Sequence, residues 1–211
     1  MDEVAPLTLA NIPLDVQIGI CLFLHPSDIL ALRKVCQHQK FSLLKTLKYY
    51  IIKTCKVLQA TTWRRVVWVA ALHRVCLDNT LFLPSFPISD MSDLELENAA
   101  MGPHRWIELC GAFERQHPND PGAVLWPRTI RIINAIEIDY FATDLFIVPG
   151  GRYLVTSSHI SISVLDLGYT SSVDCKVIAS VGLEGGDYGC NTCLVQATPD
   201  GMGLIIVWSN S

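Results

Sequence analysis

The chain has 211 residues, half of them apolar and only 17% charged. That composition leaves room for one large or two small domains with a sizeable core, and it excludes a disordered, collagen-like or low-complexity chain. No apolar run reaches the roughly 18 residues of a membrane span, VVWVAAL and LIIVW being the longest candidates. The net charge of −4 hides an uneven distribution: between Ile29 and Leu77 stand ten bases (Arg33, Lys34, Lys40, Lys45, Lys48, Lys53, Lys56, Arg64, Arg65, Arg74) and no acid, while the rest of the chain holds six bases and all twenty acids. The amino terminus, MDEVAPL, has two acids where a secretory signal carries bases. The expectation is a cytoplasmic or nuclear chain whose eight cysteines are reduced thiols.

The first element is residues 12–36, IPLDVQIGICLFLHPSDILALRKVC. Pro13 fixes φ for a helix start, and Asp15 in the first turn complements the helix dipole. Val16, Ile20, Phe23 and Leu24 then share one face. His25-Pro26 interrupts the helix, and Ile29, Leu32 and Cys36 form the next apolar stripe. One local signal points elsewhere. Val16, Ile18, Ile20, Leu22 and Leu24 also alternate as in a strand, and Gly19 among β-branched neighbours is poor helix sequence.

This segment resembles the F-box. That family's pattern runs Leu-Pro-x-Glu-Ile, an apolar run, Pro-x-Asp-Leu and Leu-x-x-Val-Cys. Here Ile12-Pro13 stands for Leu-Pro, Asp15 for Glu and Val16 for Ile. Ile20, Phe23 and Leu24 match the apolar run, Pro26-Ser27-Asp28-Ile29 the second helix start, and Leu32, Val35 and Cys36 its end. The resemblance implies an F-box over residues 8–60. It also implies binding, through Ile12, Pro13, Val16, Ile20, Phe23, Leu24, Pro26, Ile29, Leu32, Val35 and Cys36, to the Skp-type linker of a cullin–RING ubiquitin ligase. Short helices cannot bury such stripes alone and need a partner.

Residues 35–53 interrupt this pattern. Joining Lys34 directly to Thr54 gives LALRKTCKVLQATTWRRVVW, a smoother F-box-like run, and Val-Cys is compatible with a fungal intron start. The stretch is either a translated, retained intron or a genuine helix with Leu44, Leu47, Ile51, Cys55 and Leu58 at heptad-like spacing. Either origin weakens the basic block as a nucleic-acid patch.

Residues 61–118 form a helical linker region, similar to the helices behind the F-box in many basidiomycete members of the family. Thr62–Asp78 is helical in period, with Val66, Val69, Ala70, His73 and Leu77 on one side. Ser92-Asp93-Leu94-Glu95 has capping-box spacing. Gly102 closes that helix and Pro103 opens the next, where Trp106, Leu109, Cys110 and Phe113 line one face. Trp63, Trp68, Trp106 and Trp126 are read as packing residues, and His73 as a packed histidine rather than a base.

The loop at 119–127 is rich in Pro, Gly, Asn and Asp, and the region 128–211 reads as strands: TIRII, DLFIV, RYLVTS, ISISVLDL, KVIASV, CLVQAT and LIIVW. It contains a repeat. DLFIVPGGRYLVTS recurs as CLVQATPDGMGLIIVWS, with Pro149 and Pro199 50 residues apart. A period of about 40–50 residues with several short strands per unit is the pattern of propeller blades, with Leu165-Asp166 where WD-type blades end in Trp-Asp. The alternative is a plain antiparallel sandwich. The expected fold class is α+β: a helical F-box and linker region, then an all-β region resembling one to two blades of an incomplete propeller. A propeller needs about four blades to close, so the expectation is a shortened version of a longer protein.

Catalytic and cofactor motifs are missing from the sequence: there is no Gly-x-Ser-x-Gly, Walker loop or Gly-x-Gly-x-x-Gly. Cys190 and Cys193 have zinc-ligand spacing but no second pair, and His159 is the only histidine of the β half. No catalytic residue, cofactor or metal is expected. The functional expectation is a substrate-recognition adaptor that binds the linker, and through it cullin, and recruits a protein target with the β region. Two alternatives stand beside it: an F-box scaffold outside any ligase, and an interaction or nucleic-acid module using the basic block.

Overall fold

The computed structural model describes residues 12–38, 56–118, 120, 122–125, 142, 144–158, 161–169, 175–182 and 190–210. Residues 39–53 of the stretch 35–53 read as an intron or a helix, the strand TIRII, Trp126 and His159 lie outside them. The chain divides into two compact units, 1–74 with 91–112 and 75–90 with 113–211. The organisation is α+β, with helices in the amino-terminal part and antiparallel sheets in the carboxy-terminal part. Residues 75–90, which begin within a helix, group with the strands.

The helices are α1 (Leu14–Phe23), α2 (Pro26–His38), α3 (56–62), α4 (Arg65–Asp78), α5 (Asp93–Ala100) and α6 (Gly102–Gln116). In α1 the helical reading prevails over the strand-like alternation. Its inner side is Gln17 and Cys21, one turn apart and both buried. Gln17 Nε2 donates to the Ile12 carbonyl at 2.8 Å, and Gln17 Oε1 accepts from Thr61 Oγ1 at 2.9 Å. A buried amide satisfied on both ends holds the helix where β-branched propensity would not.

On α4 the face chosen from the periodicity is the outer one. Val66, His73 and Leu77 are exposed and Val69 and Ala70 half-buried, whereas Val67, Trp68, Ala71, Leu72, Val75 and Cys76 are buried. The helix is apolar on most sides, so period alone cannot choose. The largest side chain decides: Trp68 is fully buried and its indole N–H donates to the Thr62 carbonyl at 2.9 Å.

The capping box at α5 is formed. Ser92 Oγ accepts from the Glu95 N–H at 3.3 Å, and Glu95 Oε2 accepts from the Ser92 N–H at 2.7 Å. Hydrogen bonds to the Glu95 carboxylate from the Ser92 hydroxyl, at 2.7 Å, and from the Ser92 N–H hold that carboxyl below its ordinary range. Met101 caps α5 and Gly102 already begins α6. The apolar side expected on α6 is not buried: Trp106 and Cys110 are exposed, Leu109 and Phe113 half-buried.

Six strands complete the described chain: β1 (Asp144–Ile147), β2 (Tyr153–Ser157), β3 (Ser161–Asp166), β4 (Lys176–Gly182), β5 (Cys190–Ala197) and β6 (Leu204–Asn210). The first four make one antiparallel meander in chain order, and β5 pairs with β6. A four-stranded meander has the strand number and order of a propeller blade. Val148, Tyr153, Val155 and Ile162 share a core with Val195 and Ala197 of the second pair and with Phe82. The Phe82 and Tyr153 rings meet edge-on at 5.5 Å.

The internal repeat is visible as geometry. The Gly151 N–H donates to the Val148 carbonyl at 2.9 Å, and 50 residues on the Gly201 N–H donates to the Thr198 carbonyl at 2.8 Å. Both glycines take positive φ, 78° and 70°. The segment 81–85 holds both turns. Phe82 N–H donates to the Pro149 carbonyl at 3.0 Å and Leu83 N–H to the Gly201 carbonyl at 2.9 Å. Gly150, at φ 115°, lies so close to this segment that an added Cβ would stand 2.5 Å from Ser85 Cβ. At the Leu165-Asp166 position, the Asp166 carboxylate is buried and accepts from Arg152 Nε at 2.9 Å, Arg152 Nη2 at 2.7 Å and the Gly168 N–H at 2.8 Å.

The two turn glycines are predicted to differ in their tolerance of a side chain. Gly150→Ala meets both the φ penalty and the Ser85 contact, so it destabilises by about 3–4 kcal/mol, whereas Gly151→Ala, with open space around it, costs about 1–2 kcal/mol. Denaturant unfolding of the two variants checks the order. The β unit is also acid-sensitive. The Arg152 hydrogen bonds hold the Asp166 carboxyl below its ordinary range. Its contribution is therefore full above the unfolded-state carboxyl range and is lost as pH falls through the lowered native value. Asp166→Asn flattens that acid limb in a plot of melting temperature against pH.

Candidate functional site

The helical unit is organised around Arg33. Its position on α2 is one turn beyond Ile29, which is fully buried, so the guanidinium enters the interior with Ile29's face. There Nη1 donates to Glu97 Oε2 of α5 at 2.8 Å, Nη2 to the Thr62 carbonyl at 2.8 Å and Nε to Thr62 Oγ1 at 3.4 Å. The guanidinium also stacks 3.8 Å from the Trp63 ring centroid. Arg33 and Glu97 are both buried. In the sequence Arg33 reads as one base among ten, and the pair with Glu97 is not among the residues singled out there. Its spacing from Ile29 is the signal that could have found it.

The residues singled out from the sequence separate into two sets. Pro26 and Ile29 are buried within the fold, and Ile12, Leu24 and Leu32 are half-buried. Pro13 is exposed at the α1 N-cap. Val16, Ile20 and Phe23 lie at i, i+4 and i+7 on α1 and are 47%, 45% and 83% exposed. Val35 and Cys36 are on α2, but their side chains lie outside the described residues. The amphipathic sense of α1 is thus inverted: a glutamine and a cysteine face inward, and the strip Val16–Ile20–Phe23 faces outward. These three large apolar side chains form one aligned, exposed strip along the helix. Arg74 fixes the helix end by donating to the Leu22 carbonyl and, at 3.5 Å, to that of Leu24, where a cation also complements the dipole.

The basic block is partly consumed by the fold. Arg33 pairs with Glu97, Arg65 donates to the Met91 carbonyl at 2.6 Å and to Asp93 at 3.3 Å, and Arg74 caps α1. Lys40, Lys45, Lys48 and Lys53 lie outside the described residues. Cys21, Cys76 and Cys110 are free thiols. Burial raises Cys21 and pushes Cys76 up to about 12, so both stay protonated and poor nucleophiles at neutral pH. The side chains of Cys190 and Cys193 lie outside the described residues. Among the described residues no group of three or more His, Cys, Asp or Glu side chains is placed to hold a metal ion. No described helix is long and apolar enough to cross a membrane.

No protein-family model, curated protein or solved structure matches the chain.

Removing one partner of the Arg33–Glu97 pair leaves a charge buried without its counter-ion. Glu97→Leu therefore lowers the stability of the helical unit by about 3–5 kcal/mol, and the double change Arg33→Met, Glu97→Leu recovers most of that loss. A double-mutant cycle by thermal or denaturant unfolding measures the difference.

Proposed function

We propose that this chain is a substrate-recognition adaptor of a Skp–cullin–F-box ubiquitin ligase. The observation that carries the reading is the outward apolar strip of α1. Val16, Ile20 and Phe23 are positions at which the F-box-like pattern of residues 12–36 calls for partner-facing apolar side chains, and they are exposed. Pro26 and Ile29, at the start of the second F-box helix, are buried and set α2 within the unit. The half-buried Leu24 and Leu32 extend the contact at its margin.

In this role the chain contributes no bond-making chemistry. Its helical unit docks on the Skp-type linker and through it on cullin, and its β unit holds a protein target. Ubiquitin transfer is then accelerated by raised local concentration. The blade-like meander β1–β4 with the β5–β6 pair supplies the recruiting surface.

The test is binding to purified Skp-type linker by calorimetry or pull-down, with cullin co-purification as the second step. Phe23→Asp and Ile20→Asp change exposed side chains and so leave folding intact. Each weakens linker binding by about tenfold or more, as expected for a charge placed in the centre of an apolar contact. Linker binding without cullin recovery moves the assignment to a scaffold role. Unchanged linker affinity in both variants removes it.

A further inference from the structure

Within the helical unit, α2, the Trp63 turn, α5 and the first turns of α6 enclose an open groove of about 520 Å³. Leu30, Met101 and the half-exposed indole of Trp63 give it an apolar wall. The buried Arg33–Glu97 pair also lines it, each charge already engaged by the other. Two further cations on the lining have no carboxylate partner among the described residues. Lys34 is exposed, and the Arg105 guanidinium donates to the neutral Asn98 amide oxygen, at 2.7 Å. The remaining acid, Glu108, stands 3.4 Å from His104 Nε2.

We infer that this groove binds a short acidic–apolar peptide segment of a partner protein. Carboxylates of the segment pair with Lys34 and Arg105, and an apolar side chain between them rests on Leu30, Trp63 and Met101. The chemistry selects this ligand over its neighbours. A bare anion would use the two cations and leave the apolar wall wet. A nucleic-acid backbone would carry an unbroken row of phosphates past the apolar wall and Glu108, where a peptide can place an apolar side chain instead. The α1 strip is not part of the groove, so this inference stands or falls separately from linker binding.

The test uses the full chain and a fluorescein-labelled peptide in which Glu residues flank Leu and Phe, read by anisotropy. Control peptides replace Glu by Gln, or Leu and Phe by Ser, and a single-stranded oligonucleotide serves as a competitor. The parent binds the acidic–apolar peptide, both control peptides bind more weakly, and added salt weakens binding. The double variant Lys34→Glu, Arg105→Glu loses about tenfold or more in affinity. Because both side chains are exposed, it keeps the parent's melting temperature and its linker binding. The milder Lys34→Ala, Arg105→Ala variant gives an intermediate loss. Equal affinity of parent and variants for the peptide, or an oligonucleotide that displaces it efficiently, overturns the inference.

Discussion

The helical unit depends on one buried ion pair. A guanidinium cannot enter a protein interior without counter-charge and hydrogen-bond acceptors, and Arg33 finds them on segments far apart in the chain: Glu97 on α5 and Thr62 at the end of α3. That requirement orders α2 against α3 and α5. Gln17, bonded to Thr61 beside the same site, then ties α1 to α3. With Gln17 and Cys21 turned inward, α1 leaves Val16, Ile20 and Phe23 exposed among the described residues. The exposed strip is thus a consequence of the polar interior.

The β unit uses a different device. Two hairpin turns that recur at the same spacing as the sequence repeat are held by adjacent N–H groups, those of Phe82 and Leu83. Consecutive backbone donors pointing to two carbonyls satisfy groups that would otherwise be buried without partners. Phe82 meanwhile inserts its ring into the core shared by the two sheets. This explains why residues 75–90, which begin inside a helix, group with strands. They are the element against which both repeats are registered.

The strands were legible from alternation and β-branching, and the two turns from their Pro and Gly, because both signals are local. The α5 capping box was legible for the same reason, since Ser92 and Glu95 satisfy each other's backbone groups. The burial side of α4 was not. Val66, Val69 and Leu77 are as apolar as Val67, Ala71 and Leu72, and only the depth of Trp68, a tertiary fact, separates them. The link of residues 75–90 to the strands was not legible either, because their partners, the carbonyls of Pro149 and Gly201, are distant in sequence. The candidate site was half legible. The periodicity put Val16, Ile20 and Phe23 on one face, but it could not show that Pro26 and Ile29 serve the interior, nor that Arg33 is the interior's keystone.

The adaptor reading joins these parts: a helix with an outward apolar strip for the ligase, and a blade-like sheet for the target. Hydrogen–deuterium exchange of the full chain with and without purified Skp-type linker tests it most directly. The account predicts that linker slows exchange in residues 14–23 while β2 and β3 are unchanged. Exchange in α1 that is indifferent to linker, or protection confined to the strands, would contradict it.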